Sequence, residues 1–251
     1  DIWRHFLRKG LMALVDWSII DSGLTRRRLV AAFTPASLSG LVSWWKLEEA
    51  SGTRVDSFGS NNLTDNNTVT QATGQVGNAA QFTGANSEYL NISDNAGLST
   101  GDVDFSVAAG IRFDSLTQTP VLIGKGATDQ YEWSLQYASI PEKLRFALYN
   151  ATASQQDSCD WSAAIDNSIW YFVILWHNTT DDTLNLSVDD GTPVTISRTV
   201  TLTDGTADFQ LGRLATGNYY SGRLDEVFFA KAVWSAAERT NLYNWRVAGG
   251  V

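Results

Sequence analysis

Cysteine is almost missing from this chain. Cys159 stands alone in 251 residues, which excludes an intrachain disulfide and leaves a small buried thiol as its ordinary role. Histidine is nearly as scarce: His5 and His177 are too few for a histidine-rich metal cluster or a Ser-His-Asp arrangement, and His177 reads as a solvated strand end. Proline numbers 4 against 20 glycines, and methionine 1 against 10 tryptophans, a balance that favours aromatic-rich sheets over helical bundles. No apolar run reaches the ~18 residues that a bilayer-spanning helix needs. The nearest approach to a signal-peptide core, Leu11-Met-Ala-Leu-Val15, is cut short by Asp16 and lacks a cleavage pattern. Because the chain starts at Asp1 instead of Met, further sequence is expected upstream. Positive charge is in deficit too: 18 Lys and Arg against 27 Asp and Glu leave −9, a poor balance for binding nucleic acid.

What is present is apolar and evenly punctuated. Hydrophobic residues make up 43% of the chain, enough for a sizeable core. Short alternating runs recur between Gly, Asn, Asp and Thr: Phe105–Phe113, Pro120–Ile123, Gln130–Tyr137, Lys143–Tyr149, Ile169–Trp176, Thr183–Val188, Pro193–Ser197 and Ala207–Gly212. Asp189-Asp190-Gly-Thr reads as a hairpin turn between two of them. Ile169–Trp176 is apolar on both faces and so predicts a central strand. Tyr131, Trp133, Leu135 and Tyr137 share one face, which reads as core before it reads as a sugar platform. Many short strands followed by one helix predict an all-β fold of two antiparallel sheets packed as a jelly-roll sandwich.

Two distant segments frame that pattern. Ser221-Gly-Arg-Leu-Asp225-Glu226-Val-Phe-Phe229 reads as a strand, with Leu224, Glu226 and Phe228 on one face and Asp225, Val227 and Phe229 on the other. Ser235 and Glu238 then form a capping box that opens a helix running through Trp245. Far upstream, Gly40–Thr64 offers a Trp44-Trp45 strand, an acidic turn at Glu48-Glu49, and Asp56 and Gly59 before Asn62-Leu63-Thr64. Gly77–Gly84 and Glu88–Ile92 then suit a hairpin. In this order and spacing the segments resemble laminin-G-like domains of the concanavalin A-like lectin/glucanase superfamily, over about residues 41–247.

The resemblance implies a two-sheet jelly roll with a short C-terminal helix. It also implies a calcium ion between the opening segment and the last strand, with Asp225 as candidate ligand and Asp56 as its partner. The other role open to Asp225 is to accept hydrogen bonds from backbone N–H groups of the opening loop. Glycoside hydrolases sharing this fold carry a Glu-x-Asp-x-Glu pattern, with both carboxylates on one strand face. That pattern is missing, and the adjacent pairs Glu48-Glu49 and Asp225-Glu226 point to opposite faces, so the chain reads as non-catalytic. For a glycan ligand the candidate residues are the loop aromatics Trp161, beside Asp157 and Asp160, and Tyr219.

Residues 1–40 differ from the rest. They hold six basic and three acidic residues, net +3, while the remaining residues carry −12. Trp3, Phe6, Leu7, Leu11 and Leu14 recur at helical spacing, and Arg26, Arg27 and Arg28 follow before a Thr34–Gly40 linker. Such an arm has three uses: packing on its own body, lying on an anionic membrane, or docking onto a protein partner or neighbouring subunit. Docking is preferred. The expectation is a partly helical basic arm, residues 1–40, that anchors a jelly roll, residues 41–251. Its setting would be a virion surface, with a carbohydrate-binding module of a secreted protein as the alternative.

Overall fold

Alternation of apolar and polar residues places one face of each strand inward, and two such sheets close on each other. In the computed structural model, residues 33–116, 119–215 and 217–251 are described. In chain order the strands are β1 (Leu41–Trp45), β2 (Thr64–Asn66), β3 (Thr70–Thr73), β4 (Asn78–Phe82), β5 (Tyr89–Ile92), β6 (Phe105–Phe113), β7 (Val121–Lys125), β8 (Trp133–Ala138), β9 (Lys143–Tyr149) and β10 (Gln156–Asp160). Then follow β11 (Trp170–Asn178), β12 (Thr183–Val188), β13 (Val194–Ser197), β14 (Phe209–Leu211), β15 (Gly222–Ala230) and one helix, α1 (Ala236–Val247). One sheet runs β13-β12-β11-β6-β15-β4-β3, with β1 also paired to β15; the other runs β10-β9-β8-β7-β14-β5-β2. All pairings are antiparallel.

The core between the sheets is rich in aromatics, among them Trp45, Trp133, Phe105, Phe209 and Phe229. Trp133, Leu135 and Tyr137 of β8 point into it, as their alternation predicted, whereas Tyr131 precedes the strand and lies 5.8 Å from Tyr149. A second apolar cluster covers the opposite side of the eight-stranded sheet. There Leu242 of α1 and Trp234 pack on Ala108, Phe172, Ile174 and Phe228. The capping box starts α1 as expected: Ser235 Oγ accepts from Glu238 N at 3.2 Å, and Glu238 Oε2 accepts from Ser235 N at 2.8 Å.

Four expectations change. The compact unit starts at Phe33, because Leu38 is buried under Trp234 and Trp234 Nε1 donates to Ser39 O at 3.0 Å. Residues 33–40 therefore belong to the body and not to a linker. Strand β15 does not alternate evenly. A bulge at Glu226, whose φ is +52°, puts Leu224, Val227 and Phe229 in the core and Asp225, Phe228 and Ala230 on the helix side. The cause is a change of neighbour: β15 pairs with β4 through residue 224 and with β1 from residue 227. His177 is fully buried, with Nδ1 2.9 Å from Val103 O, and burial holds it below its usual pKa. Residues 156–160 form the edge strand β10, not a loop. Trp3, Phe6, Leu7, Leu11, Leu14, Arg26, Arg27 and Arg28 lie outside the described residues.

Candidate functional site

Two places collect the polar residues singled out above. The first is the junction where β15 changes partner. Asp225 Oδ2 accepts from Gln75 N at 2.7 Å and Val76 N at 3.0 Å, while Glu48 Oε2 accepts from Asn78 N at 2.9 Å. Glu226 accepts the indole N–H of Trp44. Burial pushes Asp225 up to about 6 and Glu226 to about 8, so Glu226 keeps its proton at neutral pH. These carboxylates fasten the loop at residues 74–78 and the first strand to the last.

Asp56 works elsewhere. Its two oxygens accept from Trp44 N, Phe58 N, Gly59 N and Asn61 N at 2.9–3.0 Å, which closes the turn after β1. Burial by itself would raise its pKa, but the four bonds outweigh it and the net shift is downward. Three of these bonds fall on Oδ1 and one on Oδ2, and Asp225 shares none of their donors; its own Oδ1 is buried without a hydrogen-bond partner. Among the described residues no group of three or more His, Cys, Asp or Glu is arranged to hold a metal ion.

The second place is the outer face of the seven-stranded sheet. Cross-strand register lines up Thr64, Asn91, Gln210, Gly124, Ser134, Ala147 and Ser158, one small or polar residue from every strand. The neighbouring row holds Gln136, Arg145 and Asp160. Ser134 Oγ lies 2.9 Å from the Tyr149 hydroxyl, and each hydroxyl is 3.4 Å from Gln136 Oε1, so one donates to its neighbour and the other to the amide oxygen. Arg145 grips Asp160 through two bonds of 2.6 and 2.7 Å.

On the β5 side, Asn91 Nδ2 donates to Asp208 at 2.6 Å, and the Arg213 guanidinium lies 3.4 Å above the Tyr89 ring. The loop after β14 brings Leu214 onto the sheet at Gly124. A side chain on Gly124 would meet Trp133 O at 2.8 Å and Leu214 Cδ1 at 3.0 Å, so glycine is what lets Leu214 settle there. Beside Asp208, Gln210 and Arg213 opens a groove of about 430 Å³.

The four residues expected to bind a glycan are not brought together. Asp157 faces the opposite side of β10 from Asp160, since they stand three positions apart on a strand, and it accepts from Thr199 N, Thr199 Oγ1 and Val200 N at 2.5–2.8 Å. Trp161 is half-buried against the core. Tyr219 sits by Tyr89, its ring 6.4 Å away. Tyr89 is on β5, five strand steps from β10, or roughly 24 Å at ~4.8 Å per step. Missed altogether were Gln136, Tyr149, Asn91, Gln210 and Arg213. The signal available for them was polar residues at alternate positions in otherwise apolar strands.

A family model described as the concanavalin A-like lectin/glucanases superfamily matches residues 82–238. No curated protein is similar enough in sequence to match. Among solved structures, the fourth domain of an extracellular arabinanase from Geobacillus stearothermophilus, in complex with arabinotriose, is 17% identical with a TM-score of 0.62, over 82% of this chain and 99% of that one. The binding domain of Paraclostridial Mosquitocidal Protein 1 is 15% identical with a TM-score of 0.67, over 82% of this chain and 52% of that one. Botulinum neurotoxin type C, whose cell entry is dependent upon interaction with two ganglioside molecules, is 13% identical with a TM-score of 0.63, over 82% and 51%. The chain thus spans about half of either toxin structure, and at these identities the likeness is one of fold.

Proposed function

Because the chain belongs to the concanavalin A-like lectin/glucanases superfamily, we propose that it is a non-catalytic glycan-binding module whose ligand lies across the outer face of the seven-stranded sheet. One observation carries the reading: that face is built of amides, hydroxyls and tyrosines and lies outside both apolar clusters. Sugars present hydroxyls that donate and accept, together with apolar ring faces. Amide side chains answer the first and tyrosine rings the second. The arabinotriose on the arabinanase domain and the gangliosides of the neurotoxin support carbohydrate as the ligand class.

Binding without hydrolysis is supported by the placement of the carboxylates. Asp160 is engaged by Arg145, and Asp208 stands beside β14, four strand steps away, roughly 19 Å at ~4.8 Å per step. A hydrolase pair needs about 5–9.5 Å. A glycan array with the wild type and the variants Gln136→Ala and Tyr149→Ala tests the reading. Binding weakened by both variants is expected, and a blank array removes it. Release of reducing sugar from a bound oligosaccharide would turn the module into an enzyme.

The proposed setting is display. The contrast between +3 over residues 1–40 and −12 over the rest supports a basic arm that anchors an acidic module to a larger assembly, a virion surface first and a secreted or cell-surface protein second. Deleting residues 1–32 should abolish association with the assembly; unchanged association would remove the anchor.

A further inference from the structure

Two cations on this face, Arg213 and Lys143, have no carboxylate partner among the described residues, and Lys143 donates to Ser162 O. Arg145 is neutralised by Asp160 at 2.6 Å, Arg112 by Asp114 at 2.6 Å, and Arg198 by Asp182 at 2.5 Å. Among the described residues no carboxylate pairs with Arg213. Its guanidinium is nevertheless held in place. Nε donates to Gln210 Oε1 at 2.8 Å, Nη1 reaches the Tyr219 hydroxyl at 3.5 Å, and the plane rests 3.4 Å above the Tyr89 ring. Nε is thereby committed and Nη1 makes only the long contact to Tyr219, so the edge formed by Nη2 and the second N–H of Nη1 remains for a ligand.

That edge belongs to the groove of about 430 Å³, which Gln130, Thr206, Asp208 and Gln210 also line. The groove's far wall is firm. Gln130 Oε1 accepts from Thr206 N at 3.0 Å and Thr206 Oγ1 at 2.7 Å, and the buried Lys125 ammonium bonds Gly205 O at 3.0 Å and Asp94 at 2.9 Å.

In a chain of net charge −9, a fixed and unpaired guanidinium at the side of a polar groove is an anion receptor. Asp208 narrows the choice of anion. Asn91 occupies Oδ2 of Asp208, and a carboxylate lining the groove can accept a sugar hydroxyl while disfavouring a doubly charged phosphate more than a singly charged carboxylate. We propose that the groove takes the carboxylate of an acidic sugar, such as a uronic acid residue in a chain, on the two Nη atoms of Arg213, with a ring hydroxyl donating to Asp208. The proposal rests on the glycan reading above and names the ligand class for the groove beside Asp208, Gln210 and Arg213.

The experiment compares uronic-acid oligosaccharides with their carboxyl-reduced neutral counterparts and with sulfated ones, by titration calorimetry on the full chain at two salt concentrations. The wild type should hold the uronate at least about tenfold tighter than the reduced sugar, with the preference shrinking as salt rises. Arg213→Gln should bring that ratio to about one. Arg213→Lys, which keeps the charge and loses the fork, should leave a smaller preference; it also serves as the readout should Arg213→Gln fail to fold. Equal affinity for acidic and reduced sugars overturns the proposal and leaves the glycan reading standing. A sulfated sugar bound tighter than the uronate overturns the choice of carboxylate. Failure to bind any sugar overturns both readings together.

Discussion

The two sheets share one core but treat their outer faces in opposite ways. On the eight-stranded sheet, Trp234 and Leu242 close over Ala108, Phe172 and Phe228, and Trp234 and Leu242 are 0% exposed. On the seven-stranded sheet the equivalent positions are Asn91, Gln210, Ser134, Gln136 and Arg145; Ser134 and Gln210 are buried, while Asn91, Gln136 and Arg145 are partly exposed. A sheet face that carries methyl groups and aromatic rings must be covered, whereas one that carries hydroxyls and amides can present its exposed members to a ligand. Under the proposed function, stability falls to one side of the sandwich and recognition to the other.

The largest break in that contrast should come from Trp234→Ala. Removing a fully buried indole from the covered face should cost about 3–5 kcal/mol, read from urea unfolding, and leave sugar specificity unchanged in whatever fraction stays folded. Loss of specificity at unchanged stability would invert the assignment.

Next comes a pH effect confined to the covered side. Glu226 is raised from its ordinary 4.5 to about 8 and Asp225 from 3.8 to about 6, chiefly by burial. Native protein therefore holds protons that the unfolded chain has released. This stabilisation is complete below the unfolded values and is lost as pH rises through the folded ones. The melting temperature should fall between pH 5 and 8. Each pH unit over which a native proton is retained is worth about 1.4 kcal/mol, and Glu226 retains its proton over the widest part of the window. Glu226→Gln keeps an acceptor for the Trp44 indole and should flatten most of the slope. An identical slope in the variant would remove Glu226 as its source.

On the open side, Tyr149→Phe deletes a hydroxyl bonded to Ser134 and Gln136, with an expected cost near 1 kcal/mol in stability and a larger proportional loss in sugar binding. A variant with wild-type binding would take Tyr149 out of the proposed face. The smallest effect is expected from EDTA. With Asp56 and Asp225 bonded to separate sets of backbone donors and, among the described residues, no group of three or more ligands around either, chelation should leave the melting curve where it was; a drop would point to calcium.

Much of the architecture could be read from residues alone. The strands β6, β9 and β12 run as their alternation predicted, and Ser235 with Glu238 announced α1. Strand β10 escaped notice because Gln-Asp-Ser-Cys-Asp offers one apolar side chain, Cys159, and its pairing with β9 is what makes it a strand. The bulge at Glu226 left no local mark either, since a non-glycine residue with positive φ is tolerated there only because β15 passes from β4 to β1. For the site, Asp160 and Tyr219 were picked out and do lie on or beside the open face, but Asp157 points away from it and Trp161 is drawn against the core.

What the amino-acid sequence determined by itself was the period: which residues alternate, where the turns fall, and where a helix can start. These are local properties, set by backbone sterics, side-chain polarity and capping within a few residues. Which outer face would be sealed, which carboxylates would be engaged by backbone donors, and which arginine would be left without a carboxylate partner were decided only when the strands were ordered. Those outcomes depend on neighbours separated by a hundred residues or more, and no spacing along one strand records them.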